Sequence, residues 1–185
     1  MKKLIYIAFA ISTIFLLTGC EDNTLETNTG KSKEEKQVIK KVETNEGTVN
    51  TSKMTQLYCT RQATASSGIE VDLHYDVFYT GDRLNLIHSF EQIMSADEKN
   101  LDTYENAYKG IHAHYEGLEY YDTSVVRGDT TVTSEITINY DKIDADKLLA
   151  IEGETDNIYE NKIPKYSKWI ALAKRLGITC EEVEK

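Results

Sequence analysis

A period of two runs through the middle of this chain and limits what it can become. Ile69, Val71, Leu73, Tyr75, Val77 and Tyr79 alternate with Glu70, Asp72, His74, Asp76 and Phe78. Successive side chains of an extended strand point to opposite faces, so the alternation predicts a strand with one buried and one solvated side. Thr80-Gly81-Asp82 is a turn signal, after which Leu84, Leu86, His88 and Phe90 resume the alternation. Residues 69–94 therefore read as a hairpin. A strand over about 55–64 precedes it and pairs with it across Ser66-Ser67-Gly68.

A second hairpin follows, Tyr120–Arg127 and Thr131–Tyr140, around Gly128-Asp129. Val132, Ser134, Ile136, Ile138 and Tyr140 share one face and Thr131, Thr133, Glu135, Thr137 and Asn139 the other, the mark of an antiparallel sheet with one side in water. Between the hairpins, Ser95-Ala96-Asp97-Glu98 matches a capping box. Leu101, Tyr104, Tyr108, Ile111, Tyr115 and Leu118 then recur at helical spacing, which predicts a core-facing helix over about 97–116, stopping at Gly117.

A short helix over Asp144–Ile151, ending near Gly153, and a last helix starting near Pro164 complete the pattern. Tyr166, Trp169, Ile170, Ala173 and Leu176 form the buried stripe of that last helix, and Ile178–Val183 is a short closing edge segment. The expected fold is α+β, an antiparallel sheet of about five strands with two main helices packed on one face.

The two ends of the chain read differently. Lys2 and Lys3 precede an apolar run from Leu4 to Leu17, closed by Leu17-Thr18-Gly19-Cys20. A positive start, a short apolar core and small residues before a cut describe a secretory signal over 1–19. The run is shorter than the ~20 residues that span a bilayer as a helix. Its last four residues match a bacterial lipobox, whose cysteine carries diacylglycerol and becomes the mature N-terminus. Cys20 is the expected lipidation site. The expected location is the cell membrane, anchored by diacylglycerol and palmitate-type chains on the extracytoplasmic face. Two acyl chains make a stable tether where one does not.

Residues 20–53 are polar, with seven acids and six bases after Cys20, broken only by Leu25, Val38, Ile39, Val42 and Val49. Such a stretch buries too little apolar surface to offset its ordering entropy, so it reads as a disordered spacer. Its r.m.s. reach would be about 30 Å. Residues 54–185 then form one domain.

Charge narrows the partners. The whole chain carries −10, and the acidity sits in the domain, with 24 acids against 13 bases. Nucleic acid needs Lys and Arg clusters, so it is excluded as an expected partner. A peptide, a solute or a surface protein remains as the expected ligand. Cys59 and Cys180 lie near opposite ends of the domain, and in an exported protein two such cysteines predict a disulfide.

No catalytic signature is present. His112 and His114 are two apart and would point about 200° from each other on a helix, so they cannot share a metal. His74 and His88 fall on hairpin strands where they could face each other, a weak pair without a third ligand. Asp141, Asp144 and Asp146 lack the glycine and distant glutamate of a calcium loop. No cofactor, metal site or catalytic residue is assigned, and the chain is read as a non-enzyme. The alternative reading is a cell-envelope hydrolase or metal-binding protein.

The lipobox, the stretch Val132–Asp144 and the last helix running into Ala173-Lys174-Arg175-Leu176-Gly177-Ile178 together resemble the YehR-like lipoproteins. These are small lipid-anchored bacterial proteins of unknown function. The resemblance spans about 54–185 and implies a fold and an address, with no catalytic residues to carry over. The long spacer and the Cys59–Cys180 pair depart from that pattern.

Overall fold

The alternating segments form one continuous antiparallel sheet. The computed structural model describes residues 37–65, 68–152, 154 and 156–184. The apolar run to Leu17, the lipobox with Cys20, the spacer up to residue 36, the Ser66-Ser67 turn and Gly153 lie outside the described residues. The three strands expected first are β3 (Thr55–Thr64), β4 (Glu70–Thr80) and β5 (Arg83–Met94). β1 (Lys41–Thr44) and β2 (Gly47–Asn50) precede them. Helix α1 (Glu98–Ala113) leads to β6 (Tyr121–Arg127) and β7 (Thr131–Asn139). The chain ends with α2 (Ala145–Leu149), the two-residue strands β8 (Tyr159–Glu160) and β9 (Ile163–Pro164), α3 (Tyr166–Arg175) and β10 (Thr179–Glu182).

The main sheet has six strands in the order β10-β3-β4-β5-β7-β6, every pair antiparallel. β10 supplies the sixth strand, and α2 is a third helix. The mixed, mostly antiparallel architecture is thus the expected one, while the strand and helix counts are one higher. β7 inserts between β5 and β6, which leaves β6 as one outer edge.

The helices cover one face. Trp169, Leu172 and Ala173 of α3 pack with Leu57, Cys59, Leu73, Tyr75, Val77 and Ile87. Leu101 and Tyr108 of α1 pack with Ile69, Ile93 and Val132. A line of residues across the sheet, Arg61–Leu73–Glu91–Ser134, runs between these two apolar clusters and brings polar groups under α1. Glu91 and Ser134 are both buried there. The Glu91 carboxylate, added to burial, pushes the hydroxyls of Tyr75 and Tyr104 above their ordinary range.

Local signals were met with three corrections. The N-cap of α1 is Asp97, whose carboxylate accepts from Lys99 N at 2.9 Å, while Ser95 Oγ accepts from Asp97 N at 3.1 Å one step earlier. Pro164 lies in β9, opposite Tyr159, rather than in the first turn of α3, whose N-cap is Lys165. At the other end of α3, Gly177 takes φ +75° and lets Ile178 N reach Ala173 O at 3.0 Å and Gly177 N reach Lys174 O at 3.1 Å, a Schellman closure. The third correction is a bulge. Register passes from Phe78↔Leu86 to Tyr79↔Leu84, leaving Asn85 as an extra residue. Leu84 therefore joins the helix-side core, while Leu86 stays with the opposite face.

The largest departure concerns residues 41–50, which were expected within the disordered spacer. They form the β1–β2 hairpin, with Val42 opposite Val49. Val42 packs on Phe78 and Leu86, with Ile39, Val49 and Met54 around them. The physical reason is the apolar end of the otherwise polar sheet face. Fully burying a side chain such as Phe or Leu is worth about 1.5–3 kcal/mol, and both Phe78 and Leu86 are fully buried beneath the hairpin. Gln56 fastens the incoming chain, accepting from Ile39 N at 2.9 Å through Oε1 and donating to Gln37 O at 3.3 Å through Nε2.

Cys180 lies directly opposite Cys59 in the β10–β3 register, and the two form a disulfide with Cα atoms 4.0 Å apart. The bond suits an oxidising, extracytoplasmic setting. Among the described residues, no helix is long and apolar enough to cross a membrane.

Candidate functional site

The face turned away from α1 and α3 is capped by the hairpin at one end, and no other element among the described residues covers the rest. Two adjacent lines of side chains cross it. One is Thr60–His74–Phe90–Glu135–Ser124, and the other is Tyr58–Asp76–His88–Thr137–Asp122. On the β3–β5 side the surface is aromatic. His74 stacks on Phe90 with ring centroids 4.7 Å apart, and Tyr58 lies 5.8 Å from His74.

On the β7–β6 side the surface is acidic and hydroxylated. Here the hairpin tip and the sheet enclose a groove of about 340 Å³. Glu43, Thr44 and Asn45 form its hairpin wall, His88, Glu135 and Thr137 its floor, and Asp122, Thr123 and Ser124 its outer side. The wall is held in place. Asn45 N donates to Asp122 Oδ2 at 3.1 Å, and Tyr120 N donates to Glu46 Oε1 at 2.7 Å. Tyr120 takes φ +68° to make that second contact. Burial raises the Asp122 carboxyl above its ordinary pKa, helped by the nearby Glu46 and opposed by the Asn45 N–H.

The histidines separate by role. His74 and His88 do share the open face, yet they do not face each other: His74 opposes Phe90 and His88 opposes Asp76. Asp76 sits between them, buried, and accepts from Gln56 Nε2 at 2.8 Å. Burial raises its pKa, while Gln56 and the two imidazoles pull it back down. Among the described residues, no set of three or more His, Cys, Asp or Glu side chains is grouped to hold a metal ion.

His112 and His114 part company as their spacing required. His114 is exposed at the end of α1. His112 is buried against β7, its Nε2 3.0 Å from Ser134 Oγ and its ring 6.5 Å from that of Tyr108. Burial lowers its pKa from 6.5 to about 4, so the imidazole is neutral at physiological pH.

The sign of the pH effect follows. Below pH 6.5 the unfolded chain takes up a proton at this position that the folded chain resists. The stability is complete above pH 6.5 and is lost as pH falls through about 4. A shift of that size corresponds to about 3 kcal/mol. The expected result is that His112→Gln flattens the urea midpoint between pH 6.5 and 4. An equally steep acid loss in the variant would place the effect in other groups.

The groove was not visible in the sequence. Its residues come from β1, the hairpin turn, β5, β6 and β7, and none sits in a motif. Of the side chains weighed beforehand for chemistry, His88 alone lines it, while Glu135 and Thr137 were named just as members of a solvated strand face. Cys59 and Cys180 lie at the far side of the sheet, in β3 and β10. Cys20 lies outside the described residues.

No family model matches this chain, and no curated protein sequence matches it. Its fold is similar to that in the NMR structure of the E. coli YehR protein, with a TM-score of 0.51 and 17% identity, over 71% of this chain and 92% of that one. An NMR structure of a protein from Streptococcus pneumoniae TIGR4 aligns over 84% of this chain and 98% of that one, at 15% identity and a TM-score of 0.42. At such identities the likeness to YehR is one of fold.

Proposed function

We propose that this chain is a lipid-anchored extracytoplasmic lipoprotein of the YehR-like kind, and that its domain is a non-catalytic binding module of the cell envelope. The anchor rests on Leu17-Thr18-Gly19-Cys20 behind a short apolar run, and the disulfide supports the compartment. The observation that carries the binding role is the open sheet face. It offers a shaped groove with carboxylates, hydroxyls and an imidazole, next to a stacked aromatic surface. Such a face holds a ligand by charge and hydrogen bonds, and its expected occupants are a peptide, a solute or another surface protein.

Two measurements test the reading. In cells fed an alkyne fatty acid, the full chain should take up the label, and Cys20→Ala should not. Label retained by the variant would remove the anchor. For the module, envelope extracts and solute sets should contain a component that raises the melting temperature saturably. A screen that shifts nothing would count against binding.

A second reading is favoured by one contact set. Asp76 lies between His74 and His88, and both imidazoles pull its burial-raised pKa down, so an acid–base hydrolytic site would be built there rather than in the groove. Hydrolysis of an envelope-derived ester or peptide substrate that is lost in Asp76→Asn and in His88→Ala alike would select this reading.

A further inference from the structure

The outer edge of the sheet is open where the groove lies. Asn139 N donates to Tyr120 O at 3.0 Å, and Gly128 N donates to Thr131 O at 2.9 Å. These bonds fix the phase of the β6–β7 ladder from both ends. In an antiparallel pair the bonded residues alternate, so the backbone N–H and C=O groups of Thr123 and Val125 point away from β7. Among the described residues, no strand lies beyond β6.

Proteins usually blunt such an edge with lysine, proline or a very short strand. β6 is seven residues long, Tyr-Asp-Thr-Ser-Val-Val-Arg, without either residue. Val126 on it is 60% exposed. The opposite edge strand, β10, has four residues and carries exposed Glu181 and Glu182.

We infer that β6 is a docking edge for an extended, lysine- or arginine-bearing peptide segment, which adds as a further antiparallel strand and sets its basic side chains into the Glu43–Asp122–Glu135 groove. The inference rests on the binding-module reading and names the partner class. Neighbouring strands lie about 4.8 Å apart. Alternate side chains of an added strand would stand beside Asp122, Ser124 and Val126, and a long basic side chain there reaches across β6 to Glu135 on β7. Strand addition supplies affinity through the main chain, and the pockets for alternate side chains supply specificity.

Charge selects the occupant. The groove lining contains three carboxylates and no Lys or Arg. A second copy of this chain pairing through β6 would set two acidic grooves side by side on molecules of charge −10. A basic peptide meets the opposite sign.

The test uses the full chain in detergent micelles and an eight-residue capped peptide alternating lysine with threonine. Saturable binding is expected, with slowed amide exchange at Thr123 and Val125. Three changes should each weaken it at least tenfold: replacing the lysines by glutamate, N-methylating alternate peptide nitrogens, and Thr123→Pro. N-methylation leaves the protein untouched, so it decides the matter if the proline variant misfolds. Glu135→Gln should weaken binding and lower its salt dependence.

Binding insensitive to N-methylation would mean a charged surface without strand addition. That result overturns the inference and leaves the module reading standing. No binding at millimolar peptide also overturns it, and the extract screen then judges the module separately. Concentration-dependent dimers broken by Thr123→Pro would give the edge to a second copy and equally overturn it.

Discussion

Replacing Cys59 and Cys180 together by alanine should cost more stability than any other change on the sheet. The bond closes a loop of 121 residues. Loop-entropy reasoning gives about 4–5 kcal/mol for a crosslink of that span, an upper figure because residual structure in the unfolded chain reduces it. Domains of this size are stable by only about 5–15 kcal/mol, so the loss approaches the whole for a marginal one. Cys59 is fully buried, which is why alanine and not serine is the informative replacement. The check is a pair of urea unfolding curves, oxidised wild type against the double variant. A drop below 1 kcal/mol would mean that β10 is held by its pairing with β3 and by Ile178 and Val183, both buried, and not by the covalent link.

The second large effect is expected at Trp169. Its indole is almost fully buried and meets the Tyr75 ring edge-on, with centroids 5.7 Å apart. Tyr75 sits on β4 in the middle of the sheet, so Trp169 is the side chain through which α3 grips the sheet. Large-to-alanine changes at such positions cost about 3–5 kcal/mol, part transfer and part cavity. Trp169→Ala should lower the unfolding free energy from urea curves by that amount, while Trp169→Phe should recover much of it. Equal loss in both variants would point to the indole edge rather than to its volume. The chain has one tryptophan, so removal also strips the natural fluorescence probe. Circular dichroism is therefore the readout.

How far the sequence led depends on how each element announces itself. β3, β4, β5, β6 and β7 are long enough for alternation to register, and their observed limits lie within a residue or two of the expected ones. α1 and α3 show most of their buried stripes, but the pattern passed over His112 in the first and Leu172 in the second, both buried. β1 and β2 did not register because each has four residues and a single valine. Their stability comes from Phe78 and Leu86, about 30–40 residues further along. A signal was present in the mirror placement of Val42 and Val49 about Asn45-Glu46, with Gly47 just after the turn at φ +119°. The bulge at Asn85 was invisible because Leu84 and Leu86 look alike in a period-two pattern. The groove has no linear form at all. It appears only when β7 brings Glu135 between Phe90 and Ser124 and Thr137 between His88 and Asp122.

The β1–β2 hairpin has a practical consequence for anyone cutting the chain. A version trimmed to begin at Met54, the boundary suggested by composition, would lose Val42 and leave Phe78 and Leu86 bare. It would also lose the wall formed by Glu43, Thr44 and Asn45. Such a fragment should be sticky and precipitate at concentrations where one starting at Gln37 stays in solution.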